Sequence, residues 1–142
     1  MDSALKMWPE GGKIWYGLRM NFSQLVTEAE KIVAKAKRKL PAAVAARADA
    51  LPVVFHDWPS EEIMGDEFEP DILGLFVGDP IGVEPGLCNV APAQILLFLE
   101  SIYDYAEGDM RIFRDEVRIT YLHELGHYLG WDEGDLEARG LE

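Results

Sequence analysis

Two histidines four residues apart, His123 and His127, with Glu124 directly after the first, form an H-E-x-x-H pattern. On an α-helix, residues four apart stand one turn up and about 40° around, so the two imidazoles project from one face. Each can give one nitrogen to a single tetrahedral Zn²⁺. Glu124 lies about 100° round the helix from His123. There it can sit beside the metal without ligating it and take a proton from a zinc-bound water.

The residues that follow extend the pattern. Gly130 falls three after His127, where the helix must stop and the backbone turn left-handed, a conformation glycine adopts without a Cβ clash. A chain reversing there can return a carboxylate to the same metal. Glu133, six residues past His127, stands at that third-ligand position, with Asp132 and Asp135 as neighbouring substitutes. Two histidines, a carboxylate and an open fourth site make the donor set of a catalytic zinc rather than a structural one. An H-E-x-x-H also arises on metal-free amphipathic helices. The uncharged flanking residues Tyr121, Leu122, Leu125, Gly126, Tyr128 and Leu129, the spaced glycine and the carboxylate are the further conditions that favour a metal.

These residues need a helix to carry them and a core to hold it. Asp109 is placed to N-cap the carrying helix, and Ile112, Phe113, Val117, Tyr121, Leu125 and Tyr128 recur at the spacing of a core-facing stripe. Glu116 and Thr120 share the histidine face and could hydrogen-bond a ligand from behind. A first helix is expected from Ser23, as cap, to Pro41, with Phe22, Leu25, Val26, Ala29, Ile32, Val33, Ala36 and Leu40 at helical spacing. No glutamate follows Ser23 at the third position, so no capping box is expected there. Lysines and arginines crowd this helix's C-terminal half and complement its dipole. Residues 41–48 can add a short turn. Residues 52–57, 72–77 and 94–99 read as strands, the last continuous, apolar and therefore central. Residues 59–71 and 79–93 read as loops, the second a candidate cover for the site, and residues 101–107 as a short helix. A last helical turn is expected over 136–141, with Arg139 a late cationic contributor to the pocket. His56 reads as an ordinary strand residue.

Composition narrows the function classes. The chain has 142 residues, one domain's worth, and its 49% of apolar residues can supply a core. With 26 acidic against 13 basic side chains the net charge is −13, which argues against nucleic acid or an anionic membrane as partner. One cysteine, Cys88, excludes an intramolecular disulfide and a zinc ribbon. No secretory leader or membrane span is expected, and a cytoplasmic location follows by default. Residues 1–20, broken by Pro9, Gly11, Gly12 and Gly17 yet rich in aromatics, read as an N-terminal extension to a domain over 21–142; such an arm could pack on the domain or on a second subunit, as in a homodimer.

The run from Glu116 to Thr120, the H-E-L-G-H-Y-L-G-W-D-E-G-D-L stretch from His123 to Leu136, and the upstream segments Gly74–Gly78 with Pro80 and Ile95–Phe98 together resemble the small bacterial zincin-like metallopeptidases, or mini-zincins. The resemblance covers about residues 20–142. It implies a minimal α+β domain: a small mixed β-sheet packed on a backing helix and an active-site helix, with little or no lower subdomain and no methionine turn beneath the metal. It also implies Zn²⁺ as cofactor and a peptide or protein as substrate. Part of the family carries Asp at the third-ligand position, where this chain has Glu133, one methylene longer. The expected function is zinc-dependent peptide hydrolysis, with His123, His127 and Glu133 on the metal and Glu124 as base. One rival is a catalytically weak or inactive zincin-fold protein acting through a partner. A second, a metal-dependent RNA hydrolase with similar histidine spacing, lacks the glutamate that Glu124 supplies here and suits a less acidic chain.

Overall fold

The structure, a computed structural model, describes residues 19–81, 92–131 and 134–135. Its elements run α1 (Phe22–Arg38), α2 (Ala42–Asp49), β1 (Val53–His56), α3 (Glu61–Met64, continued by a 3₁₀ turn Gly65–Glu67), β2 (Gly74–Val77), β3 (Gln94–Phe98), α4 (Leu99–Tyr105) and α5 (Met110–Tyr128). The three strands form one mixed sheet in the order β1-β3-β2. β1 runs parallel to β3, with Val53 opposite Ile95 and His56 opposite Phe98. β2 runs antiparallel to β3, with Gly74 opposite Leu97 and Val77 opposite Gln94. The fold is the small α+β domain expected.

β3 is central because both its faces are buried. Ile95 and Leu97 point into the main core, which α1, α4 and α5 complete; Leu96 and Phe98 point the other way, into a smaller cluster closed by Met64. A strand buried on both faces must be apolar at every position, which is why its sequence reads as an unbroken run. Residues 59–71, expected to be loop throughout, instead include α3. Ser60 Oγ accepts from the Ile63 N–H, and the turn buries Met64 under the sheet, a tertiary contact that local polarity did not signal.

α1 starts two residues earlier than a Ser23 cap would require. Asn21 Oδ1 accepts from the Gln24 N–H and Gln24 Oε1 accepts from the Asn21 N–H, each at 2.8 Å, so a capping box is present after all, built from Asn21 and Gln24. Leu25, Ala29, Val33 and Ala36 are its buried face, while Phe22 stands exposed at the stripe's margin. The two alanines let α5 approach closely. Along α5, Phe113, Val117, Tyr121 and Leu125 are fully buried, whereas Ile112, expected in the core, is exposed. The Tyr121 hydroxyl has no hydrogen-bond partner among the described residues, and burial, with a smaller contribution from the charge of Asp49, pushes its pKa up to about 12.

Ahead of α1, the Met20 N–H donates to the Tyr103 hydroxyl at 3.2 Å, and the Arg19 guanidinium pairs with the buried Glu100 carboxylate while lying over the Tyr103 ring. The chain is therefore anchored to α4 before its first helix begins; residues 1–18 of the expected extension lie outside the described residues. Among the described residues, no helix is long and apolar enough to cross a membrane.

Candidate metal centre

α5 delivers the H-E-x-x-H residues as a rigid unit, and both its ends are capped as the sequence suggests. At its start, Asp109 Oδ1 accepts from the N–H groups of Arg111 and Ile112. At its end, Gly130 takes φ +78°, the Gly130 N–H donates to His127 O at 3.0 Å, and the Trp131 N–H donates to Gly126 O at 2.9 Å. This paired closure is a Schellman motif, and it needs the left-handed residue at Gly130. A third backbone bond, from the Ile81 N–H to Tyr128 O at 2.7 Å, ties the segment after β2 to the same helix end. Phe76 of β2 packs its ring on Tyr128, with centroids 5.7 Å apart. The C-terminal turn carrying His127 is thereby held from three directions.

His123 and Glu124 are half-buried and His127 is exposed; their potential ligand atoms all lie within 4.8 Å of one another. The two imidazoles meet edge to face, and their Nε2 atoms are 3.1 Å apart. Two nitrogens bound to one tetrahedral zinc at the usual bond length would be separated by about 3.3 Å. The separation of the histidine pair is thus close to that of two nitrogens sharing one zinc. The same separation suits an N–H···N bond in a metal-free pair, in which one ring donates and the other accepts. The donor chemistry, two neutral imidazoles with a carboxylate beside them, fits zinc.

Glu133, the expected third ligand, and its neighbour Asp132 lie outside the described residues; Asp135 is described and half-buried. Residues 82–91, most of the candidate covering loop, and residues 136–142, with the expected last turn and Arg139, also lie outside them. His56 sits on β1, the far strand of the sheet, where its ring stacks on Phe98 at 5.9 Å, in keeping with its reading as an ordinary strand residue.

In front of α5 lies an open cleft of about 430 Å³, walled by Glu124 and His127 on one side and by β2 and its flanks, Ile72 to Pro80, on the other. β2 pairs with β3 along one side; its other side has no strand partner among the described residues. What brings this edge against the histidine helix is Gly74. A Cβ on Gly74 would lie 2.6 Å from Thr120 Cγ2 and 3.0 Å from the Leu96 carbonyl oxygen. Only a residue without a side chain lets strand and helix meet so closely. Thr120, expected behind the ligands, thus serves as the packing surface for β2. A lone glycine inside a strand pattern is the signal that could have revealed this contact.

No curated protein matches the chain. The family model for zincin-like metallopeptidases, in contrast, matches residues 48–141, so it contains the whole sheet, α5 and the H-E-x-x-H residues but not α1. That match spans more than half of the chain and coincides with the site assembled on α5, and the protein belongs to the zincin-like metallopeptidase family.

Proposed function

We propose that this protein is a zinc-dependent hydrolase of peptide bonds, with His123, His127 and Glu133 as metal ligands and Glu124 as the general base. The observation that carries the reading is the 3.1 Å separation of the two Nε2 atoms with the Glu124 carboxylate beside them, facing a cleft under a strand edge that has no strand partner among the described residues. Bound zinc would acidify a water and polarise the scissile carbonyl. Glu124, half-buried at the cleft wall, accepts the water's proton and passes it to the departing amine. The side of β2 away from β3 would offer its backbone N–H and C=O groups to an extended peptide, which would add to the sheet as a fourth strand and lie across the histidines. Side-chain selection then falls to the apolar wall that Ile72 and Phe76 contribute to the cleft.

The test is zinc content of purified wild type beside His123→Ala and Glu133→Ala, followed by peptide hydrolysis by wild type and Glu124→Gln. The expected result is one zinc per chain in wild type, lost in both ligand variants. Glu124→Gln should keep zinc and lose hydrolysis by about 10²-fold or more. Zinc retained in Glu133→Ala moves the third ligand to Asp132 or Asp135. Wild type without zinc overturns the catalytic reading in favour of a cleft that works by binding a partner.

A further inference from the structure

On the flank of α5 away from β2, the groove between α1 and α5 is lined by Lys35 and Lys39 from α1 and by Arg114 and Arg118 from α5. Ile32 and Ala36 contribute its apolar surface, and Asp115 is its one acidic residue among the described residues. Its volume is about 270 Å³. Acidic side chains outnumber basic ones 26 to 13 in this chain, so most cations should find a carboxylate nearby. Here they do not. Arg114 is held through Nε by Glu28, at 3.1 Å, but Lys35, Lys39 and Arg118 make no ion pair with any described residue. Arg118 is half-buried, and its guanidinium fork has no carboxylate partner among the described residues.

We propose that this groove is a docking site for a carboxylate-rich segment of a partner protein. Three cations with no ion-pair partner among the described residues, set around an apolar strip, complement a short stretch that alternates acidic and aliphatic side chains. Arg118 can take a carboxylate with two parallel hydrogen bonds, Lys35 and Lys39 supply point charges one turn apart, and Ile32 receives an aliphatic side chain. A nucleic acid fits less well. Its regularly spaced phosphates would run beyond these few cations onto a molecule of net charge −13. Arg118 precedes His123 by five residues on one helix, about 7.5 Å along the axis and about 140° around it. A segment bound in the groove therefore leaves the cleft open, and the site stands whether or not the metal centre hydrolyses anything.

The experiment is fluorescence anisotropy of the full-length protein with a labelled peptide of alternating glutamate and leucine. Wild type is expected to bind it, and Lys35→Glu and Arg118→Gln each to weaken binding about tenfold. Arg47→Glu, which makes the same charge change as Lys35→Glu on an exposed position of α2, is expected to stay within about twofold of wild type. Lys35 is exposed, so its replacement tests the groove without disturbing the core. Absence of binding to wild type overturns the proposal, as does equal weakening by Arg47→Glu, which would reduce it to net charge. Two competitions bear on the occupant. Displacement of the peptide by millimolar inorganic phosphate would make the groove a simple anion site, and tighter binding of a single-stranded oligonucleotide would make it a nucleic-acid surface; either result also overturns it.

Discussion

Gly74→Ala puts the contact that builds the cleft to a quantitative test. Strand propensity alone predicts a gain, because glycine inside a strand costs about 0.5–1 kcal/mol relative to alanine. Packing predicts the opposite. The new methyl would meet Thr120 Cγ2 at 2.6 Å, Leu96 O at 3.0 Å and Leu97 Cδ2 at 3.1 Å. An ordinary carbon–carbon contact is about 3.5–4.0 Å, so the first approach must open by about 1 Å. Leu97 can swing its end carbon aside. Thr120 is fixed on α5, and the Leu96 oxygen belongs to the central strand, so β2 must move away from the helix. Overpacking of this kind costs about 1–3 kcal/mol; about 2 kcal/mol is expected here, and about 8 °C in Tm for a chain of this size. Urea denaturation followed by circular dichroism measures it. Thr120→Ser removes the opposing methyl and should recover about 1 kcal/mol in the Gly74→Ala background, the Leu96 contact remaining. A Gly74→Ala variant as stable as wild type would refute the close approach. So would a Thr120→Ser change that acts additively with it.

Three further outcomes follow from particular contacts. Gly130→Ala meets no neighbour within 4 Å, so its cost is the left-handed backbone alone, about 1 kcal/mol in denaturation, and Gly130→Asn should cost less. Tyr121→Phe removes a buried hydroxyl that has no partner among the described residues and should leave stability unchanged or raise it by up to about 1 kcal/mol; a loss greater than that would reveal a partner for the hydroxyl. Arg19→Ala strips the cation from Glu100, which is 8% exposed, and should lower stability by about 1–2 kcal/mol, a modest value because Arg19 itself is half exposed. Adding Glu100→Gln should restore most of that loss, and no recovery would mean that the ion pair was not its origin.

What could be read from the chain directly is what depends on neighbours in sequence. The four-residue spacing of His123 and His127 sets their common face through helix geometry alone. Asp109 and Gly130 end that helix at both sides through bonds to residues within five positions. The unbroken apolar run of β3 already implied a strand buried on both faces. Where local signals competed, the reading slipped. Asn21 and Ser23 are both good caps two residues apart, and the reciprocal bond from Gln24 selects Asn21. Ile112 has the right helical phase but stands on a turn of α5 that the other helices leave uncovered. Residues 61–64 are acidic enough to read as loop, yet Met64 finds a place under Phe98 and draws a helical turn with it.

The sequence by itself determined the grouping of His123, Glu124 and His127, the helix that presents it, the caps that bound that helix and the family to which the chain belongs. Tertiary structure decided that β2, rather than β1, borders the histidines. Strand order and the Gly74–Thr120 contact arise from packing between segments 17 to 46 residues apart, from Val77 opposite Gln94 to Gly74 against Thr120, and no local propensity encodes such pairings. It likewise decided that Lys35 and Lys39, which read along the chain as helix-dipole chemistry, meet Arg114 and Arg118 across a groove. Charge along one helix follows from spacing, but the convergence of charges from two helices depends on how their buried faces pack, here through Ala29, Val33 and Ala36 of α1.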